Sequence, residues 1–340
     1  MHQARHTQDH VAHYRDHGWV LIEGLLRRDE IEAAEPGLFE VYPTSADFHA
    51  GKADFRSEGF KALARSPDNS EGGAKFRPLQ FAGLREFPFA DVALNLLPLH
   101  PAILALMEDL LRTRDVRLYQ AETFAKYTGV TQYDQPYHVD YTNHVMLPPR
   151  RDGRYAQAQL FLFLSDVGTE HGPTRIVSRR LSDAVPLAAI NGLGTQADSD
   201  LVRTWEASST LAVGPKGTLM VCAADIVHRG TDMCLPGGGR FLYSIGCRAA
   251  GADWVGSNPW PRKGFHAPWE PLVSACSVRQ LEALGFPGPG HPYWDEETLR
   301  GAAERYPRLD LEPWREAVAA RPAGPHGRAV RGARCAVRSA

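Results

Sequence analysis

Cysteine is scarce in this sequence, and what there is forms no pattern. The 340 residues hold five: Cys222, Cys234, Cys247, Cys276 and Cys335. An odd, widely spaced set without a C-x-x-C pair argues against a disulfide framework and a zinc knuckle, and fits a reducing compartment. An excess of either charge is also missing. Lys and Arg number 38 against 40 Asp and Glu, a net charge of −2. Nothing therefore draws the chain as a whole to nucleic acid or an anionic membrane, and a small-molecule partner is expected. No apolar run is expected to reach the length that crosses a bilayer; the longest, at 160–164, is strand-sized. The first twenty residues carry His and charge without the apolar stretch of a secretory signal. The expectation is a cytoplasmic monomer or homodimer with no nucleic-acid or membrane partner.

What is present is ordinary for a packed domain: 43% hydrophobic and 23% charged residues. The opening reads as a polar helix over 7–17 ended by Gly18, a strand at 19–22, and an amphipathic helical run over 29–41. Residues 43–89, rich in Gly, Pro, Ser and charge, read as long loop with short helical turns. Pro101 suits the first position of a helix whose apolar face is Ile103, Leu104, Met107, Leu110 and Leu111. Short β-type runs then follow at 116–126, 157–167, 211–213, 218–223 and 240–249. Residues 179–209 read as an insertion, and modest helices are predicted near 278–284, 296–305 and 311–319. The last twenty residues carry five arginines and no acid, and read as a disordered tail. This pattern is mainly β with flanking helices, a sandwich or jelly roll.

The chemistry centres on Tyr137-His138-Val139-Asp140. In a strand, residues two apart share a face, so His138 and Asp140 can aim at one point. Alone, H-x-D recurs by chance, and a surface His beside a solvated acid reads equally well. One imidazole and one carboxylate are also two-thirds of the 2-His-1-carboxylate set that selects iron(II). Asp225-Ile226-Val227-His228 offers a third ligand after the strand at 218–223. Arg240 opens the apolar strand Phe241-Leu242-Tyr243-Ser244-Ile245 after a Gly-rich turn. If that strand pairs with the one carrying His228, Arg240 lies deeper in the same barrel and suits a metal-chelating dicarboxylate. Other features take plainer readings. The histidines at 2, 6, 10, 13 and 17 recur as on a solvated helix face, and Cys222 and Cys247 read as buried thiols. Tyr137, Tyr141 and His144 are pocket or packing residues, and Trp254, Trp260, Phe265 and Trp269 a core or lid.

At these residues the chain resembles the phytanoyl-CoA dioxygenase-like branch of the iron(II)/2-oxoglutarate oxygenases. The likeness runs from the opening Tyr14-Arg15-Asp16-His17-Gly18-Trp19-Val20-Leu21-Ile22 through the strand lysine Lys126 to Glu170-His171-Gly172-Pro173-Thr174-Arg175-Ile176-Val177. It departs where His171 replaces the usual Asn and where Ser178-Arg179-Arg180 fails to complete P-G-S-H. The resemblance implies a double-stranded β-helix (a cupin-like jelly roll) in one domain over 1–320. Its parts would be a helical and loop region at 1–115, a barrel at 116–250 and a helical extension at 251–320, ahead of the tail 321–340. It implies iron(II) at His138, Asp140 and His228, with 2-oxoglutarate and dioxygen as co-substrates. Arg240 would take the distal carboxylate, with Gln135 and Thr174 as further donors. Arg77, or equally Lys75, would reach in from the N-terminal loop. The implied reaction is oxidation of a C–H bond, by default hydroxylation, of a natural product or amino-acid derivative, with release of succinate and CO2. A metal-dependent hydrolase or cupin-type enzyme, and a non-catalytic binding barrel, are the alternatives.

Overall fold

The computed structural model describes residues 5–52, 85–129, 134–140, 155–183, 185, 199–252, 254–256 and 268–321. Helix α1 (Gln8–His17) starts where the Thr7 hydroxyl accepts from the His10 amide, and stops at Gly18 in the left-handed region. Strand β1 (Trp19–Ile22) follows. The run expected at 29–41 is two helices, α2 (Arg28–Glu32) and α3 (Glu35–Val41). The reason is Pro36, whose ring and missing N–H prevent a continuous ladder back to Glu32. The histidine face is also less solvated than expected. His6 is buried against Asp109 at 2.7 Å, and His13 stacks on His17.

Helix α4 (Ser45–His49) lies in the segment read as loop, and the short strand β2 (Arg85–Glu86) follows at its far end. Helices α5 (Val92–Leu96) and α6 (Pro101–Leu111) come next, α6 with Pro101 in its first turn as predicted. Contrary to expectation, the stretch Val92–Leu111 is long and apolar enough by composition to cross a membrane. Here a 3-10 turn at Leu97–Leu99 divides it, and Leu94, Ile103, Leu106 and Met107 are wholly buried in the main core.

The remaining strands are β3 (Val116–Tyr127), β4 (Gln157–Phe163), β5 (Thr174–Ile176), β6 (Thr210–Ala212), β7 (Leu219–Ala223), β8 (His228–Gly230) and β9 (Gly239–Ala249). They form a six-stranded sheet in the order β1-β7-β4-β9-β3-β2 and a three-stranded sheet β6-β5-β8. His138 extends the smaller sheet by bridging to His228. Without the edge strands β1 and β2, the order is 7-4-9-3 facing 6-5-8 plus the His138 segment. Strands next in sequence repeatedly fall in opposite sheets. This is the jelly-roll order of a double-stranded β-helix.

The alternation of strands sets two environments. On the larger sheet Ala121, Leu160, Val221 and Ile245 face out into the core shared with α6. Phe124, Phe163, Met220 and Leu242 face in, toward Ile176 and Ala212 of the smaller sheet. Each such side chain contributes roughly 1.5–3 kcal/mol on full burial. A bulge places two residues of β3, Tyr119 and Gln120, against the single Gly246 of β9. A side chain at Gly246 would meet the Tyr119 ring at 2.5 Å, so the bulge requires glycine there.

One expectation about β9 is corrected. β8 and β9 do not pair with each other; β8 belongs to the smaller sheet and β9 to the larger. His228 and Arg240 therefore approach the interior from opposite walls.

Helices α7 (Arg179–Ser182) and α8 (Asp200–Ser208) lie in the segment read as an insertion, and α8 buries Trp205 completely. Helices α9 (Trp269–Ala275), α10 (Val278–Ala283), α11 (Glu296–Arg305) and α12 (Glu312–Ala319) close the described chain. Trp269 is a core residue. Arg321, the first residue of the expected tail, donates to the carbonyls of Trp294 and His291 at 2.6 and 2.5 Å. Residues 322–340 lie outside the described residues.

Candidate metal centre

His138 and His228 exchange both backbone hydrogen bonds, each at 3.0 Å, so their side chains stand next to each other on one face. Asp140, two residues on from His138, returns to that face. The ligand atoms of His138, Asp140 and His228 all lie within 4.8 Å of one another. His138 Nε2 is 3.6 Å from Asp140 Oδ1, and His228 Nε2 is 3.4 Å from Asp140 Oδ2. Adjacent donors about 2.1 Å from one first-row ion sit roughly 3 Å apart, so a small closure completes the set.

Backbone carbonyls fix both imidazoles. His138 Nδ1 lies 2.9 Å from the Pro136 carbonyl, and His228 Nδ1 3.0 Å from that of Ile226. A carbonyl only accepts, so each ring carries a proton on Nδ1, which leaves Nε2, on the Asp140 side, as the atom that can bind a metal. Burial, then the neighbouring His228, lowers the pKa of His138. Burial works against the charged form of His228 too, but Asp140 outweighs it and the pKa is raised. The donor set, its tautomers and its single carboxylate fit a divalent first-row metal held on one face.

A brace stands behind these ligands. The Tyr137 hydroxyl donates to Glu206 of α8 at 2.8 Å. Arg229 donates to the same carboxylate at 3.0 Å, pairs with Asp134 at 3.0 Å, and lies over the Tyr137 ring. Tyr137 is thus a packing residue facing away from the ligands.

At the other end of the interior, Lys126 of β3 stands opposite Arg240 of β9 in register. They are 1% and 3% exposed. The Lys126 ammonium donates to the Thr231 carbonyl at 2.9 Å, and Arg240 donates to the Gly172 carbonyl. Gly172 is needed there: its φ is +63°, and a Cβ would meet the Thr231 carbonyl at 2.7 Å. Neither cation makes an ion pair among the described residues, and Arg240 Nε has no hydrogen-bond partner. Burial, then Arg240, pushes the Lys126 pKa well below its ordinary value. Burial lowers that of Arg240 to about 9. Two buried, unpaired cations side by side are costly unless an anion joins them.

The other predicted site residues divide. Thr174 shares the inward face of β5 with Ile176, which stands opposite His228. Gln135 is buried, and its side-chain carbonyl accepts from the Gly230 amide at 2.6 Å, so it ties the ligand loop to β8. Only its NH2 group can serve as the donor expected of it. Arg77, Lys75, Tyr141 and His144 lie outside the described residues. Cys222 is buried beside Asp140, and burial, then that carboxylate, raises its pKa well above the ordinary value. It is a neutral wall, not a thiolate ligand.

Glu206, Arg229 and the pairing of Lys126 with Arg240 are not among the residues expected from the sequence. The signal for the last was present in β3. Gln120, Glu122 and Lys126 alternate with Ala121, Thr123 and Ala125, a polar inner face on a buried strand.

No family model matches the chain, and no curated protein matches it. Among solved structures it is similar to the non-haem α-ketoglutarate-dependent carbocyclase SnoK from nogalamycin biosynthesis, at 16% identity over 72% of this chain and 85% of that one, with a TM-score of 0.46. It is similar to HygX from Streptomyces hygroscopicus with nickel, 2-oxoglutarate and hygromycin B bound (16% identity, 72% and 88% of the chains, TM-score 0.46). It is also similar to EvdO2 from Micromonospora carbonacea var. aurantiaca complexed with 2-oxoglutarate (12% identity, 75% and 98%, TM-score 0.48).

Proposed function

We propose that the chain is a non-haem iron(II)/2-oxoglutarate-dependent oxygenase acting on a C–H bond of a small natural product or amino-acid derivative, with hydroxylation as the default outcome. The observation that carries this reading is a pairing of two features in one jelly roll. A His-Asp-His face suited to iron stands at one level of the interior. Two buried cations that make no ion pair among the described residues stand at another. Such a pair matches the distal carboxylate of a dicarboxylate whose other end chelates the metal, because the guanidinium offers a fork and the ammonium a second charge.

Iron and 2-oxoglutarate, when bound, supply the oxidising chemistry, with dioxygen consumed and succinate and CO2 released. The chain's own tasks are separate. His138, Asp140 and His228 would hold the metal on one face and leave the opposite positions open. Lys126 and Arg240 would orient the co-substrate, and Phe124, Leu242 and Phe163 between the two levels exclude water. Asp140 fills the carboxylate position, which speaks against a chlorinating outcome that needs that position vacant.

A hydrolase or a cupin-type enzyme using the same ligands has no use for the Lys126–Arg240 pair, and a binding barrel has none for two imidazoles fixed through Nδ1 with Nε2 toward one carboxylate. Anaerobic addition of iron(II) and then 2-oxoglutarate to the full chain tests all three. The oxygenase is expected to develop a visible metal-to-ligand charge-transfer band, whereas metal binding without that band would reject it.

A further inference from the structure

The interior from the metal level outward, away from Arg240, is polar where the other half is apolar. Tyr119, Gln120 and Glu122 of β3, Gln157 and Gln159 of β4, and Ser244 of β9 all point inward and are at least nine-tenths buried. Some of their polar atoms satisfy one another. Tyr119 donates to Gln159 at 3.3 Å, Gln159 to Ser244 at 2.8 Å, and Gln120 to Glu122 at 3.0 Å. Three do not: Gln120 Oε1 and both side-chain heteroatoms of Gln157 are buried with no hydrogen-bond partner among the described residues. Orphaned polar atoms at this depth oppose folding unless a guest or water completes them.

The belt adjoins the metal centre. Burial and then the Asp140 carboxylate raise the pKa of Cys222; for Tyr119 the causes are burial, then Cys247, then Asp140. Cys222 stands opposite Gln159 in register. Arg240 lies six residues along β9 from Gly246, the partner of Gln120. At about 3.4 Å per residue that is roughly 20 Å of strand. The Phe161 ring lies 6.3 Å from that of His228, and Phe161 stands opposite Ser244, so the ligands fall between Arg240 and the outer belt residues Gln120 and Gln157, where a substrate would meet the metal.

We infer that this belt is the substrate wall, and that it takes a polyhydroxylated ring such as a cyclitol or glycosyl unit. The inference rests on the oxygenase reading above and names the substrate class of that site. A hydroxyl both donates and accepts, so neighbouring hydroxyls can serve the Gln120 and Gln157 carbonyls and the Gln157 NH2 together. An acyl chain or unsubstituted aromatic leaves them unpaired, and sites built for hydroxyls reject such analogues strongly. A carboxylate on the substrate at this level would face both Glu122 and Asp140.

The test uses the full chain loaded anaerobically with iron(II) and 2-oxoglutarate. The probes are myo-inositol, methyl β-glucoside and 2-deoxystreptamine, set against decanoate and indole. At least one hydroxyl-rich probe is expected to perturb the charge-transfer band. Gln157→Met should weaken that probe by about fivefold or more. The same variant should leave the 2-oxoglutarate titration and the melting midpoint unchanged or the midpoint higher, because the replaced atoms make no hydrogen bond among the described residues. The inference is overturned if only decanoate or indole perturbs the band, if no hydroxyl-rich probe does, or if Gln157→Met binds such a probe as well as the parent. If no band forms with 2-oxoglutarate, the oxygenase reading itself fails, and calorimetric titration of the same probes into parent and variant still decides the wall.

Discussion

Replacing Lys126 by Met separates a functional cation from a structural one, because the two roles move stability in opposite directions. Among the described residues the ammonium, 1% exposed, makes one hydrogen bond, to the Thr231 carbonyl; it stands opposite Arg240, and the Asp232 and Asp134 carboxylates act on it only from beyond ion-pair distance. In the free protein, Met removes that bond and strands the carbonyl, at a cost of about 1–3 kcal/mol. It also removes the penalty of burying a charge or a dehydrated amine that Asp232 and Asp134 offset only from a distance, and that gain works in the other direction. Met fills nearly the same volume, so no large cavity offsets the gain. The melting midpoint should therefore stay level or rise. In the complex the distal carboxylate of 2-oxoglutarate would face Arg240 alone. Loss of one partner of a buried charge pair costs roughly 2–5 kcal/mol, about thirty-fold to several-thousand-fold in affinity. Thermal unfolding without metal and anaerobic titration of the charge-transfer band read the two effects separately. A midpoint several degrees lower with an unchanged titration would refute the reasoning, since Lys126 would then be a structural donor.

Arg240→Lys keeps the charge but not the fork, and the 2-oxoglutarate half-saturation should rise at least about tenfold while iron affinity without co-substrate stays near the parent. Matching titration curves would mean that Arg240 serves only its Gly172 contact. His228→Ala should abolish iron binding, measured by equilibrium dialysis, with the fold retained by circular dichroism; full turnover in this variant would remove it from the ligand set. Raising pH from neutral to mildly alkaline should weaken 2-oxoglutarate. The folded pKa of Lys126 is depressed, so its free form loses the proton early and must regain it to meet the dianion, and Arg240, lowered to about 9, adds to the fall. Proton uptake on binding, measured by calorimetry in buffers of different ionisation enthalpy, checks the sign; proton release in that range would contradict it. Glu206→Ala, which removes the acceptor shared by Tyr137 and Arg229, should lower iron affinity by up to about tenfold, a smaller loss than that of any ligand. The effect is limited because the Glu206 side chain is 41% exposed.

Much of this arrangement follows from local rules that act within a few residues. The capped helix before Gly18, Pro101 at the head of α6 and the long strands β3 and β9 obey backbone preferences and a two-residue period, so they are legible without a structure. The same period puts His138 and Asp140 on one face whatever the rest of the chain does. Strands of three residues such as β5 and β8 carry too little periodicity to stand out, and the break between α2 and α3 turns on one proline inside an amphipathic run. What the sequence could not decide is which strands lie side by side. Pairing depends on contacts between residues far apart in the chain, and only the tertiary structure puts β8 and β9 in different sheets, so that His228 and Arg240 face the interior from opposite walls. It likewise joined Lys126 to Arg240 across 114 positions, a proximity created by the register of β3 with β9. It turned Gln135 into a tie for β8 and brought Glu206, from a segment read as an insertion, behind the metal ligands. Identity at each position was local information; the meeting of two buried cations, and of three orphaned amide atoms beside a carboxylate, exists only once the two sheets close over a common interior.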